Sequence, residues 1–246
     1  MKKHILTWDF LLTAIGCFFG GLLDGFSFLY RDQSFTTVQT GNLVKIFISF
    51  IYNDFLYSAY LIIIFISFCI FVLLFHMLCR WLKYKKINYH YVLMPLIIIL
   101  LIPSAIWKFN NNDSLDVLNI ISGVGLSAIG AIIAVSFRHV QLKFDDKIII
   151  NLTFMTGNIR SMMFSLSEFF ETKNKEKLYV FFIYLSMLGF FALGAASTAL
   201  FYFKHFAVWQ QQYPIVIFMD GLCLLMMWIS HIRYKKYKDM IKIDQS

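Results

Sequence analysis

Long apolar runs separated by short polar stretches make up most of the chain. Six of them, approximately residues 10–30, 56–79, 91–107, 116–137, 178–203 and 214–232, are predicted membrane-crossing helices. Each comes near the roughly 17–25 residues that a helix needs to cross a hydrocarbon core of about 30 Å, and the third is the shortest. Between them lie two further segments, about 35–52 and 148–166, almost long enough to cross. Each is interrupted by the same polar step: FTTVQTGNLVKI (35–46) and NLTFMTGNIRSM (151–162). The pattern predicts an all-α integral membrane protein forming a single membrane domain.

Composition sharpens this picture. The chain is 59% hydrophobic, with mean hydropathy +0.69, and only 15% charged; soluble domains average about 25% charged. The net charge of +8 does not point to nucleic acid. The Lys and Arg residues sit in short clusters beside apolar runs, as in RWLKYKK (80–86) and RYKKYK (233–238), the placement of topology signals. Trp8, Trp81, Trp107, Trp209 and Trp228 lie at or near run ends, forming an interfacial belt. Lys2 and Lys3 precede a run too long for a signal peptide, with no small-residue cleavage site, so it is read as the first span.

Charge asymmetry also sets the topology. If the N-terminus is inside and neither Thr-Gly-Asn segment crosses, 18 of the 22 Lys and Arg are cytoplasmic. The four others are Arg31, Lys45, Lys108 and Lys204. If both segments crossed, RWLKYKK would be forced outside. The positive-inside rule therefore favours six crossings plus two short re-entrant or broken helices, in the bacterial inner membrane with both termini cytoplasmic.

The surroundings of the two Thr-Gly-Asn steps repeat as well. GLLDGFSF (21–28) precedes the first and GAIIAVSF (130–137) the second, both reading G-x-x-x-x-x-S-F at the end of a span. A polar linker, the Thr-Gly-Asn segment, a long span, a basic or short loop and a final span follow in each. This predicts two repeats, 1–110 and 111–246. Three crossings per repeat is an odd number, so the repeats are inverted, a recurrent transporter plan. Thr40-Gly41-Asn42 would enter from outside and Thr156-Gly157-Asn158 from inside. In each step Thr is expected to cap a helix, Gly to turn the backbone and Asn to offer its amide. The two would bound one site, unless each is only a satisfied helix start.

The ordered motifs GGLLDGFSFLYRD, QTGNLV, SFR and TFMTGNIRS resemble those of the YoaK family of bacterial inner-membrane proteins, over nearly the whole chain. The resemblance implies a polytopic membrane fold and no particular activity. The chain departs from the family in its long linker from Phe137 to Thr156, with Asp145, Asp146 and Lys147.

The ionisable residues inside spans are the remaining candidates. Asp24 and Asp220 are each followed by Gly, and each is expected about 9 Å below the outer surface. There they would hold a cation or a proton, or simply pair with a local donor. Arg160 would supply a counter-charge to an anionic solute or a carboxylate, or snorkel to the headgroups. Small residues at Gly21-x-x-x-Gly25, Gly123-x-x-x-Ser127 and Gly130-x-x-x-Ala134 read as helix-packing seams first and as contacts in a homo-oligomer second.

No nucleotide loop, metal-ligand cluster or nucleophile elbow is present, and the four cysteines lack metal or redox spacing. No cofactor and no enzymatic activity are expected. The leading expectation is a small-solute transporter or channel, proton- or ion-coupled, with Asp24, Asp220, Arg160 and both Thr-Gly-Asn steps at its site. The rival is an assembly partner or sensor whose polar residues only lock the bundle.

Overall fold

The computed structural model describes residues 2–31, 33–107, 114–136, 139–141, 147–150, 155–204 and 212–243. Trp209, Arg138 and the Asp145–Asp146 pair lie outside them. The helices are α1 (Lys2–Tyr30), α2 (Gln39–Ile51), α3 (Phe55–Tyr84), α4 (His90–Ile106), α5 (Val117–Ser136), α6 (Met155–Thr172), α7 (Lys175–Lys204) and α8 (Gln212–Ile243). Five of them, α1, α3, α5, α7 and α8, are long and apolar enough to cross a membrane; α4 is a shorter apolar helix. All six apolar runs of the sequence are therefore helices, and the third is again the shortest.

One feature departs from an all-α chain. In the long linker after α5, β1 (His139–Gln141) and β2 (Lys147–Ile149) form a short antiparallel hairpin with His139 opposite Ile149.

Small residues make the tightest seams. Along α1 and α7, a Cβ on Gly21 would lie 2.0 Å from the Phe191 carbonyl oxygen, and one on Gly194 2.0 Å from that of Phe18. The seam is closed by Thr198, whose hydroxyl donates to the Leu22 carbonyl at 3.0 Å. Gly194 meets Phe18 and Thr198 meets Gly25, so the two helices run parallel. Close backbone approach of this kind is how helices associate where lipid gives no hydrophobic drive. A second parallel seam joins α3 to α5, where Ser127 Oγ donates to the Ile64 carbonyl at 3.2 Å.

Between the seams, α1, α4, α5 and α8 enclose the apolar core, with Phe19, Leu22, Phe26, Leu93, Ile97, Ile129 and Met219 buried. Here neighbours run antiparallel: Asn88 at the start of α4 donates to Ser230 Oγ at 2.8 Å, late in α8. The same end holds the Asp9–Arg233 ion pair (2.5 Å) and a bond from Tyr89 Oη to the Ser136 carbonyl. Outward faces are apolar and exposed, as at Phe47, Ile51, Leu73, Leu193 and Ile217, which suits lipid contact.

Candidate functional site

The polar centre of the molecule is built where the chain reverses after α1. Gln33 takes a left-handed φ of 56°, and the strand that follows runs back along the helix it has just left. Ser34 Oγ lies 3.1 Å from Ser27 Oγ. One turn lower, Asp24 Oδ1 accepts the backbone N–H groups of Thr36 (3.0 Å) and Thr37 (2.7 Å), and its Oδ2 accepts the Thr37 hydroxyl. These N–H groups lie outside any helix, in the segment before α2, so the buried carboxylate satisfies backbone donors that no regular structure pairs.

Asn42 then fixes the strand to α2. Its Oδ1 accepts the Phe35 N–H at 2.8 Å, and its Nδ2 donates to the Phe35 carbonyl (2.6 Å) and to Gln39 Oε1 (2.9 Å). Gln39 Nε2 donates in turn to the Thr36 carbonyl at 2.9 Å. Gly41 lies under the Phe35 ring, where a Cβ would come within 2.8 Å of the ring carbon Cδ2. On the other side of the strand, the Thr36 carbonyl oxygen would lie 2.3 Å from a Cβ on Gly130 of α5. Asp24, Gln39, Asn42 and Gly41 thus form one network around residues 35–37.

This corrects three expectations for the Thr-Gly-Asn step. Thr40 does not cap: the residue before α2 is Val38, which makes no side-chain cap, and Thr40 is exposed. Gly41 does not turn the backbone, since no described glycine has positive φ; its small size matters, because the Phe35 ring occupies the Cβ position. The Asn42 amide is spent on Phe35 and Gln39 and is fully buried.

The second step has a similar local form. Thr156, Gly157 and Asn158 lie within the first turn of α6, so Gly157 is helical too. Thr156 and Gly157 are exposed and Asn158 is buried. Asn158 Nδ2 donates to Met155 Sδ at 3.4 Å, the position matching Gln39. Ser165 bonds to the carbonyl four residues back, as Ser49 does in α2. Arg160 falls in the second turn rather than the first, exposed, with its guanidinium 5.1 Å from the Phe164 ring centroid. Residues 151–154, which precede this step, lie outside the described set.

Asp220 stands apart. It lies on α8, and its buried Oδ1 has no hydrogen-bond partner among the described residues. None of Asp24's hydrogen bonds reaches it, and no described bond joins Asp220 or Arg160 to either Thr-Gly-Asn step.

The residue that sequence reasoning passed over is Arg31, which entered only as one of four cations outside. It is 1% exposed and ties four helices. Its Nε donates to Ser122 Oγ (3.0 Å) on α5 and its Nη1 to the Tyr30 carbonyl (2.8 Å) ending α1. Its Nη2 donates to the carbonyls of Ser104 and Trp107 at the end of α4 (2.7 Å each) and to Gln212 Oε1 on α8 (3.3 Å). No carboxylate among the described residues pairs with it. Burial lowers its pKa to about 10, so it stays charged at neutral pH. Two helix C-termini, each carrying about half a negative charge, supply the compensation. The available signal was spacing: Asp24, Ser27 and Arg31 at i, i+3 and i+7 share one helix face.

Residues 12–231 match the family model described as a protein of unknown function, DUF1275. No curated protein and no solved structure matches the chain. Among the described residues, no group of three or more His, Cys, Asp or Glu converges as metal ligands would.

Proposed function

The chain belongs to the DUF1275 family, whose description assigns no activity, and we propose from its own geometry that it is a small-solute permease built from two inverted halves. Exchanging the halves pairs α1 with α5, α2 with α6, α3 with α7 and α4 with α8. Under that exchange the α1/α7 seam becomes the α5/α3 seam. Likewise α2/α3 becomes α6/α7, α1/α8 becomes α5/α4, and α4/α8 maps onto itself; every one of these pairs is packed. This exchange of partners is the observation that carries the reading, because inverted halves with broken helices are a recurring way to build a site that faces either side.

The short helices fit the same plan. α2 starts at the depth of Asp24, and Lys45, halfway along it, donates to the Gln33 carbonyl at the end of α1. In this reading α2 dips in from outside and returns. α6 does so from inside, where Glu168 pairs with Lys177 at the start of α7 (2.5 Å). The repeats are 1–110 and 111–246, both termini are cytoplasmic, and the membrane is the bacterial inner membrane.

A second reading is a non-transport membrane protein, and one observation favours it: Asp24 and Asn42 are satisfied by internal bonds. Thermal unfolding of the purified protein across a metabolite panel separates the two. A ligand at about 100 times its Kd should stabilise a binding-competent permease by about 2.7 kcal/mol. Any stabilising solute should then equilibrate across vesicles containing the protein. If no solute stabilises it and the vesicles stay tight, the non-transport reading stands.

A further inference from the structure

We infer that Asp220 is a proton-binding carboxyl inside the membrane domain, and that Asp24, which the sequence makes its counterpart, is not. The two differ in what surrounds them. Asp24 receives three donors from Thr36 and Thr37. An ionised carboxylate can only accept, and donors converging on both oxygens hold it in that form as part of the fold. Asp220 has a buried Oδ1 with no partner among the described residues. An unpaired carboxylate oxygen in apolar surroundings is costly to keep ionised, and such a group neutralises by taking up a proton.

The elements packed against α8 offer no nearer remedy. Asp220 lies eight residues into α8, about 12 Å from Gln212. Between Tyr91 and Ile106, α4 carries no titratable side chain. Within its span α1 has Asp9, Cys17, Asp24 and Tyr30, with Asp9 on Arg233 and Asp24 already engaged. The apolar stretch of α7 has only Tyr179, Tyr184 and Tyr202, and α8 itself contributes Tyr213 two turns back, Cys223 one turn on and His231 three turns on. The cations Arg31, Lys83 and Arg233 and the ring of His90 are at the two ends of the bundle, with Arg233 on Asp9. Asp220 as a residue is only partly buried, which leaves access for a small apolar reagent.

Proton binding stands on these observations alone; use of that proton to drive a solute rests on the permease reading. The test treats the full-length protein in vesicles with dicyclohexylcarbodiimide, an apolar reagent that attacks protonated carboxyls, and locates the adduct by peptide mass spectrometry. One adduct is expected on the peptide holding Asp220, lost at alkaline pH, with the Asp24 peptide unlabelled. Asp220→Glu should keep the adduct and Asp220→Asn should lose it, with unfolding temperatures that show both fold. An unlabelled Asp220 at acidic pH, or labelling of Asp24 in preference to it, overturns the inference. Labelling of Asp220 in vesicles that pass no solute keeps the proton site and removes the permease. Solute flux that is unchanged in Asp220→Asn keeps the permease and removes the coupling role.

Discussion

Replacing Arg31 tests whether a buried cation bonded to helix carbonyls holds this end of the bundle together. Arg31→Met removes the charge and keeps much of the length. It strips the donor from three backbone carbonyls, those of Tyr30, Ser104 and Trp107, and from the Ser122 and Gln212 side chains. A buried acceptor left without its donor costs about 1–3 kcal/mol. Three carbonyls would set an upper range near 3–9 kcal/mol. Part of that is returned because the desolvated charge is gone, so a net loss of about 2–4 kcal/mol is expected. Arg31→Lys should recover little, since an ammonium is a point charge and cannot spread its bonds as the planar fork does.

Thermal unfolding in detergent, at low and at high salt, reads both effects. The wild-type value should change little with salt, because the partners are neutral and buried pairs are weakly screened. Full stability in either variant would show that the five bonds contribute nothing and would refute the tie.

Topology gives a sharper test of the short helices. Single cysteines at Asn53 and Lys173 in a cysteine-free background should label from outside and inside respectively; the reverse at Asn53 would mean that α2 crosses. Gly41→Val should destabilise by about 1–3 kcal/mol through overpacking against Phe35, and Asn42→Ala by a similar amount through the orphaned Phe35 N–H, both read by unfolding temperature. An unchanged Asn42→Ala would remove the clamp. At the α1/α7 seam, Gly194→Leu should abolish folding, as the absence of monodisperse protein on gel filtration would record, while Gly189→Leu, which faces open space, should be tolerated.

The architecture was legible because lipid imposes it: apolar length gave six helices, and small-residue spacing gave the seams at Gly21, Gly25, Gly123 and Ser127. The chemistry was less legible, for reasons visible at single residues. Asp24 and Asp220 look alike in sequence, each an acid followed by glycine. Only the three-dimensional return of Thr36 and Thr37 to Asp24 separates them. Gly41 and Gly157 suggested a turn because glycine permits one, yet Gly41 is where a ring from six residues earlier needs room. Arg31 was hidden because its partners are backbone carbonyls on α1 and α4, which no side-chain pattern announces.

The local capping of Asp24 also bears on how the chain assembles as it is made. Chains are synthesised from the N-terminus, so α1 enters the bilayer long before α7 and α8, its main neighbours, exist. An exposed carboxylate at that depth would resist insertion. Its donors, however, come from residues 36 and 37, which leave the ribosome within moments of α1, so the carboxylate is solvated by its own hairpin. Arg31 has only the Tyr30 carbonyl that early. Its acceptors on α4, α5 and α8 arrive in succession, Gln212 last among them. The acid travels with its cap, whereas the base collects its partners one helix at a time.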